Sequence, residues 1–72
     1  MKVQEFLKKF NMGSNATVTV LDTNTDKEYR MFYDQLRYEQ YYKYTGSEKI
    51  DIGAMRFNSF TVRDNALTIF AE

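Results

Sequence analysis

The chain has 72 residues, a formal net charge of zero from 10 basic and 10 acidic side chains, and neither histidine nor cysteine. That excludes disulfides and the usual zinc or iron sites, and it leaves no global field to draw the protein towards nucleic acid or an anionic membrane. A chain of this size buries only about 60% of the surface its unfolded form exposes, so aromatic bulk, 17% of residues, and self-association are the expected supports of its small core.

Lys2, Lys8 and Lys9 surround a short apolar set at the amino end, without the uninterrupted apolar run of a signal peptide, and no stretch approaches transmembrane length. A cytoplasmic protein of one domain, residues 1–72, is expected. Val3, Phe6, Leu7 and Phe10 recur at i, i+3, i+4, i+7 and predict an amphipathic helix over residues 2–11, closed by Gly13, whose apolar stripe packs on a sheet. The sequon Asn15-Ala16-Thr17 is read as chance.

Ala16 to Leu21 alternates threonine and valine, a strand with Val18 and Val20 inward. Turn formers follow from Asp22 to Asp26, and residues 27–33 return as a second strand, so a hairpin is predicted. Asp22-Thr23-Asn24-Thr25-Asp26 resembles the opening of an EF-hand calcium loop, but Lys27 stands where that loop needs its glycine and Tyr33 where it needs its bidentate glutamate. It is read as a solvated hairpin loop. No metal site and no cofactor are expected.

Asp34 is suited to cap a helix from Gln35 to Tyr44, with Tyr33 stapled on Tyr38, a Glu39–Lys43 pair at i, i+4, and Thr45-Gly46 as the stop. Ile50 and Ile52 suggest a short strand interrupted by Gly53 and Ala54. The phase of Met55 and Phe57 then conflicts with that of Phe60 and Val62, which a bulge near Asn58 would reconcile. Asp64-Asn65 reads as a tight turn that pairs Arg63 with Ala66, Val62 with Leu67, Thr61 with Thr68 and Phe60 with Ile69. Together these elements predict an α+β fold: an N-terminal helix and a four-stranded, mostly antiparallel sheet of two hairpins, with a short tyrosine-rich helix between them. The helix, hairpin, helix, hairpin order in so short a chain is similar in style to small phage or mobile-element proteins.

All 6 tyrosines fall between Tyr29 and Tyr44. On a helical wheel Tyr38, Tyr41 and Tyr42 form one stripe, which serves either as half-buried core with wet hydroxyls or as an exposed binding face. The functional expectation is a non-catalytic, self-associating protein-protein interaction module. Tyr38, Tyr41 and Tyr42, ringed by Arg30, Arg37 and Lys43, would meet another protein, with help from an adjoining strand edge. The expected partners are a second copy, as a homodimer, and another protein; no membrane is involved. The alternative is a single-stranded nucleic-acid binder that stacks bases on the same rings. No catalytic residue is expected, since histidine and cysteine are absent and Gly13, Gly46 and Gly53 are too scattered for a phosphate loop.

Overall fold

The computed structural model describes residues 1–10 and 16–72. Helix α1 (Val3–Lys9) is followed by strands β1 (Thr17–Asp22) and β2 (Lys27–Met31), helix α2 (Tyr33–Arg37), strands β3 (Lys43–Thr45) and β4 (Glu48–Ile50), and a 3₁₀ turn (Ile52–Ala54). Strands β5 (Phe57–Arg63) and β6 (Ala66–Ala71) complete the chain. The α+β expectation holds. Two hairpins, β1–β2 and β5–β6, join side by side in the order β2-β1-β6-β5, and β3–β4 forms a separate two-stranded sheet. The junction is the parallel pairing of β1 with β6, in which Val18 lies beside Leu67 and Val20 beside Ile69.

Alternation along each strand sends one set of side chains to a single covered face. Val18 and Val20 of β1, Tyr29 and Met31 of β2, and Leu67, Ile69 and Ala71 of β6 are all buried there. Helix α1 lays Val3 and Leu7 on that face, and the segment between β2 and β5 adds Tyr41 and Ile52. Each of the larger aliphatic side chains among them contributes about 1.5–3 kcal/mol when fully removed from water. The opposite face, with Thr19, Glu28, Arg30, Thr61, Arg63 and Thr68 among its residues, contains no buried side chain.

The carboxyl-terminal hairpin has the register that its turn chemistry dictates: Arg63 faces Ala66, Val62 faces Leu67, Thr61 faces Thr68 and Phe60 faces Ile69. A register shift between Phe57 and Ser59 is the bulge that the conflicting phases require. It moves Phe57 to the covered side, where its ring stacks on Phe6 at 4.4 Å. Phe6 also meets Phe10 and Phe60, at 5.3 and 4.9 Å between centroids, so an aromatic ridge seals this end of the core.

Helix α1 is shorter than its apolar pattern, because Phe10 already leaves helical geometry as the C-cap. Gly13 and Asn15, to which the helix stop and the sequon were assigned, lie outside the described residues. At the other end the Glu5 carboxylate accepts the Lys2 amide hydrogen at 3.0 Å. The chain around Lys2 also pairs with Arg56: the Val3 N–H donates to the Met55 carbonyl at 2.9 Å and the Phe57 N–H to the Met1 carbonyl at 2.8 Å.

Gly53 is where the two covering layers touch. A Cβ there would lie 2.8 Å from the Tyr41 Cβ and 2.9 Å from the Gln4 side-chain oxygen, and the Gly53 N–H donates to the Tyr41 carbonyl at 2.8 Å. Since one of those neighbours is the rigid base of a buried ring, Gly53→Ala should cost about 1–3 kcal/mol by overpacking. Urea unfolding measures it, and an unchanged midpoint would refute the close approach.

The bond from Lys2 and the charges of Lys2 and Lys9 hold the Glu5 carboxyl below its ordinary value of 4.5. A carboxyl whose folded pKa is depressed stabilises the fold above its unfolded pKa and loses that effect as pH falls through the folded one. Glu5→Ala should therefore lower the unfolding midpoint at neutral pH, and the deficit should shrink at a pH well below the ordinary carboxyl value. Equal deficits at both pH values would mean that the charge of Glu5 plays no part.

Candidate functional site

The sequence places a helix from Gln35 to Tyr44 with Asp34 as its cap, but the helix runs only from Tyr33 to Arg37. Phe32 occupies the cap position, and Asp34 lies in the first turn. The Gln35 side chain supplies the reciprocal half of a capping box: from the third helical position its oxygen reaches back to accept the Phe32 N–H at 3.1 Å. Its amide nitrogen donates to the Tyr42 carbonyl at 3.0 Å, tying the start of α2 to the chain beyond its end.

The helix stops because Glu39 turns left-handed, at φ 56°. The Gln40 N–H donates to the Gln35 carbonyl at 2.7 Å and the Glu39 N–H to the Leu36 carbonyl at 3.2 Å, the paired closure that usually has glycine at the turning position. Glutamate there gives no sequence signal. Without a helix beyond Arg37, the Glu39–Lys43 pairing and the Tyr38, Tyr41, Tyr42 stripe do not form as helical neighbours, and Lys43 begins β3 instead.

The three tyrosines consequently have three fates. Tyr41 is buried in the core at 7% exposure, Tyr42 is half-buried, and Tyr38 stands out at 63%. Burial, with the Glu39 charge second, raises the pKa of the Tyr41 hydroxyl. Tyr29 is also core, whereas Phe32 and Tyr33, expected in the second strand, follow its end at Met31 and are exposed.

What gathers on the surface is a set of rings that each carry a cation. Lys43 lies 4.8 Å from the centroid of Phe32 and donates from Nζ to the Arg30 carbonyl at 2.7 Å. The Lys49 ammonium sits 4.4 Å over the Tyr42 ring, which meets Tyr44 edge-on at 5.9 Å. Arg37 stands 5.4 Å from the ring of Tyr38. Arg37, Lys43, Tyr38 and Tyr42 thus lie on the surface of the β2-to-β4 segment; Arg30 takes part through its carbonyl, its side chain being on the open face of the sheet, and Tyr41 does not join them.

Phe32, Tyr44 and Lys49 belong to this surface and were not singled out from the sequence. Lys49 had a readable signal: Thr45-Gly46 precedes a short returning run, and the resulting β3–β4 hairpin, with Gly46 at φ 64°, sets Tyr44 opposite Lys49. Residues 42, 44 and 49 then fall on one side of that hairpin. The Asp22–Asp26 loop is indeed a hairpin turn, in which the Asp22 carboxylate accepts the Asn24 N–H at 2.9 Å. Among the described residues no group of histidine, cysteine, aspartate or glutamate side chains is arranged to hold a metal, and no helix is long and apolar enough to cross a membrane.

Tyr41→Ser should destabilise the fold by about 3 kcal/mol, as for other large truncations in a core, while Tyr38→Ser should stay within about 0.5 kcal/mol. Paired denaturation curves check the difference, and comparable losses would mean that both rings support the core. No protein-family model matches the chain, and no curated protein or solved structure matches it either, so the side-chain arrangement alone carries the functional reading.

Proposed function

We propose that this chain is a non-catalytic, self-associating protein-interaction module that docks another protein on the exposed rings of the segment from Phe32 to Lys49. One observation carries the reading: Phe32, Tyr38 and Tyr44 are 57%, 63% and 64% exposed, so these large rings contribute little to the core. Removing such rings from water in an interface is worth about 25 cal/mol per Å² of apolar surface. Their rigid side chains lose little entropy on binding, and the neighbouring Arg37, Lys43 and Lys49 supply a charged rim.

The alternative, stacking of single-stranded nucleic acid, uses the same rings but fits them less well. Phe32 and Tyr42 already have an ammonium close over the ring, and a base would have to displace it. Glu28, Asp34, Glu39 and Glu48 stand in and beside the same segment, and the net charge is zero. A surface of mixed sign suits a protein better than a phosphate backbone.

The test is differential capture. The intact protein and a Phe32→Ser, Tyr38→Ser, Tyr44→Ser variant are used as paired baits in extract of the source cells, with bound proteins identified by mass spectrometry. A protein held by the native chain through raised salt and lost by the variant supports the reading. Identical capture by both chains sinks it. Binding of an oligothymidylate that weakens by orders of magnitude between about 50 and 200 mM salt would transfer the surface to nucleic acid.

A further inference from the structure

The two edges of the four-stranded sheet are finished differently. At β2, the Arg30 carbonyl faces outward and is taken by the Lys43 ammonium, and the exposed Lys27, Glu28 and Arg30 make the strand a charged edge. At β5, the direction of each main-chain group follows from β6. The Asn65 and Ala71 carbonyls accept from the Thr17 and Thr23 amides of the β1 side, at 2.9 and 2.8 Å. The intervening residues Ala66, Thr68 and Phe70 therefore face β5. Arg56 and Glu72 continue that series by exchanging both bonds, at 2.9 and 3.0 Å.

Arg63, Thr61 and Ser59, opposite Ala66, Thr68 and Phe70, thus turn their main-chain groups to β6. Those of Phe60 and Val62 point out of the sheet. The Met1 carbonyl covers the edge at Phe57. Among the described residues, no bond from outside the strand pair reaches the amide or carbonyl of Phe60 or Val62. The side chains of these two residues, at 44% and 50% exposure, lie on the covered side of the sheet, with Phe60 beside the Phe6 and Phe10 rings. No proline or central charge guards this edge, and Arg63 is the single charged residue of the strand.

We propose that a second copy of the chain pairs with β5 in antiparallel fashion about a two-fold axis at Thr61, joining two sheets into one. The proposal rests on the reading of the chain as a self-associating module and names the surface and register. In that register Phe60 exchanges both main-chain bonds with Val62 of the second copy, and Val62 with Phe60, so the open groups on each strand satisfy those on the other. Phe60 and Val62 also meet across the pair on the same face, an aromatic and β-branched contact. Arg63 comes opposite Ser59, and Asp64 of one copy arrives beside Asn58 of the other, near Lys2, so no like charges face each other. A one-residue slip turns the open groups out of phase. A two-residue slip spends one of them on the bulge at Asn58 or on the turn at Asp64. The self-matching of this short stretch is what selects a second copy over an unrelated strand.

The register gives a direct test, because the chain has no cysteine of its own. Opposed residues in a non-hydrogen-bonded antiparallel pair have Cα atoms about 4.5 Å apart, within reach of a disulfide. Thr61→Cys should oxidise to a linked dimer. Ser59→Cys and Arg63→Cys should each stay without a covalent link alone and cross-link when mixed. Val62→Lys should abolish the concentration-dependent doubling of mass in sedimentation while leaving the monomer's circular dichroism unchanged. A single monomeric mass up to about 1 mM, where association worth even about −4 kcal/mol would be visible, would overturn the proposal, as would equal homotypic cross-linking at all three cysteine positions. The Phe32, Tyr38, Tyr44 serine variant should still dimerise even if it captures no partner protein. If it instead loses the dimer while Val62→Lys retains it, the aromatic surface is the self-association face and the β5 pairing is wrong.

Discussion

The parallel pairing of β1 with β6 is the constraint from which the rest of the molecule follows. Hairpins fold locally, but a parallel neighbour cannot be reached by a tight turn, so the chain must travel between them outside the sheet. Strand order β2-β1-β6-β5 makes that journey run from one edge of the sheet to the other. The crossing segment, residues 32–56, has to pass over the face that Val18, Val20, Leu67 and Ile69 leave apolar. It covers part of that face while α1 covers the remainder. A segment with that duty needs inward anchors at a few points and is free elsewhere, which is why buried and exposed rings alternate within it.

Gly53 and Tyr41 form the anchor that decides which rings are which. Tyr41 can lie under the crossing segment only if the 3₁₀ turn comes within van der Waals range of its Cβ, and only glycine permits that approach beside Gln4. Drawing Tyr41 inward requires the chain to leave α2 early, and the left-handed turn at Glu39 provides the exit. A glutamate held at positive φ costs on the order of 1 kcal/mol, small beside the burial of a tyrosine ring. The same turn carries Tyr38 outward and delivers Tyr42 to β3. One packing contact therefore separates the core tyrosines from those left exposed.

This explains what could be read from the sequence and what could not. The carboxyl-terminal hairpin was legible down to its register and its bulge, because turn chemistry at Asp64-Asn65 and the alternation around Phe60 and Leu67 are local and agree with each other. The β1–β2 hairpin was legible for the same reason, with Val18 and Val20 inward. The extent of α2 was not. The stretch from Gln35 to Tyr44 has a plausible helical pattern, and the decision against it is made by Gly53, distant in sequence and silent about its neighbour. Of the residues that composition singles out, Arg37, Lys43, Tyr38 and Tyr42 lie on the surface of the crossing segment, whereas Tyr41 is core and Arg30 projects from the open face of the sheet. Tyr44 and Lys49 were missed because they come together only once β3 and β4 have paired, and Phe32 because it was read as part of the second strand, which ends at Met31.

The sheet edges connect the fold to the two proposals. Lys43 is the hinge of that connection, since its ammonium both closes the outward carbonyl of Arg30 on the β2 edge and rests on the ring of Phe32. The aromatic surface thus grows from the guarded edge, and β5, the unguarded one, lies across the full width of the sheet from it. Two chains joined at β5 would carry their aromatic surfaces at opposite ends of a continuous eight-stranded sheet, spaced rigidly and related by the same two-fold axis. A target with two matching sites could then engage both, and the second contact would form at a high effective concentration instead of by free diffusion. A modest ring-and-cation surface on a small domain would gain affinity in that way, and the open β5 edge would give a chain with a small core further surface to bury.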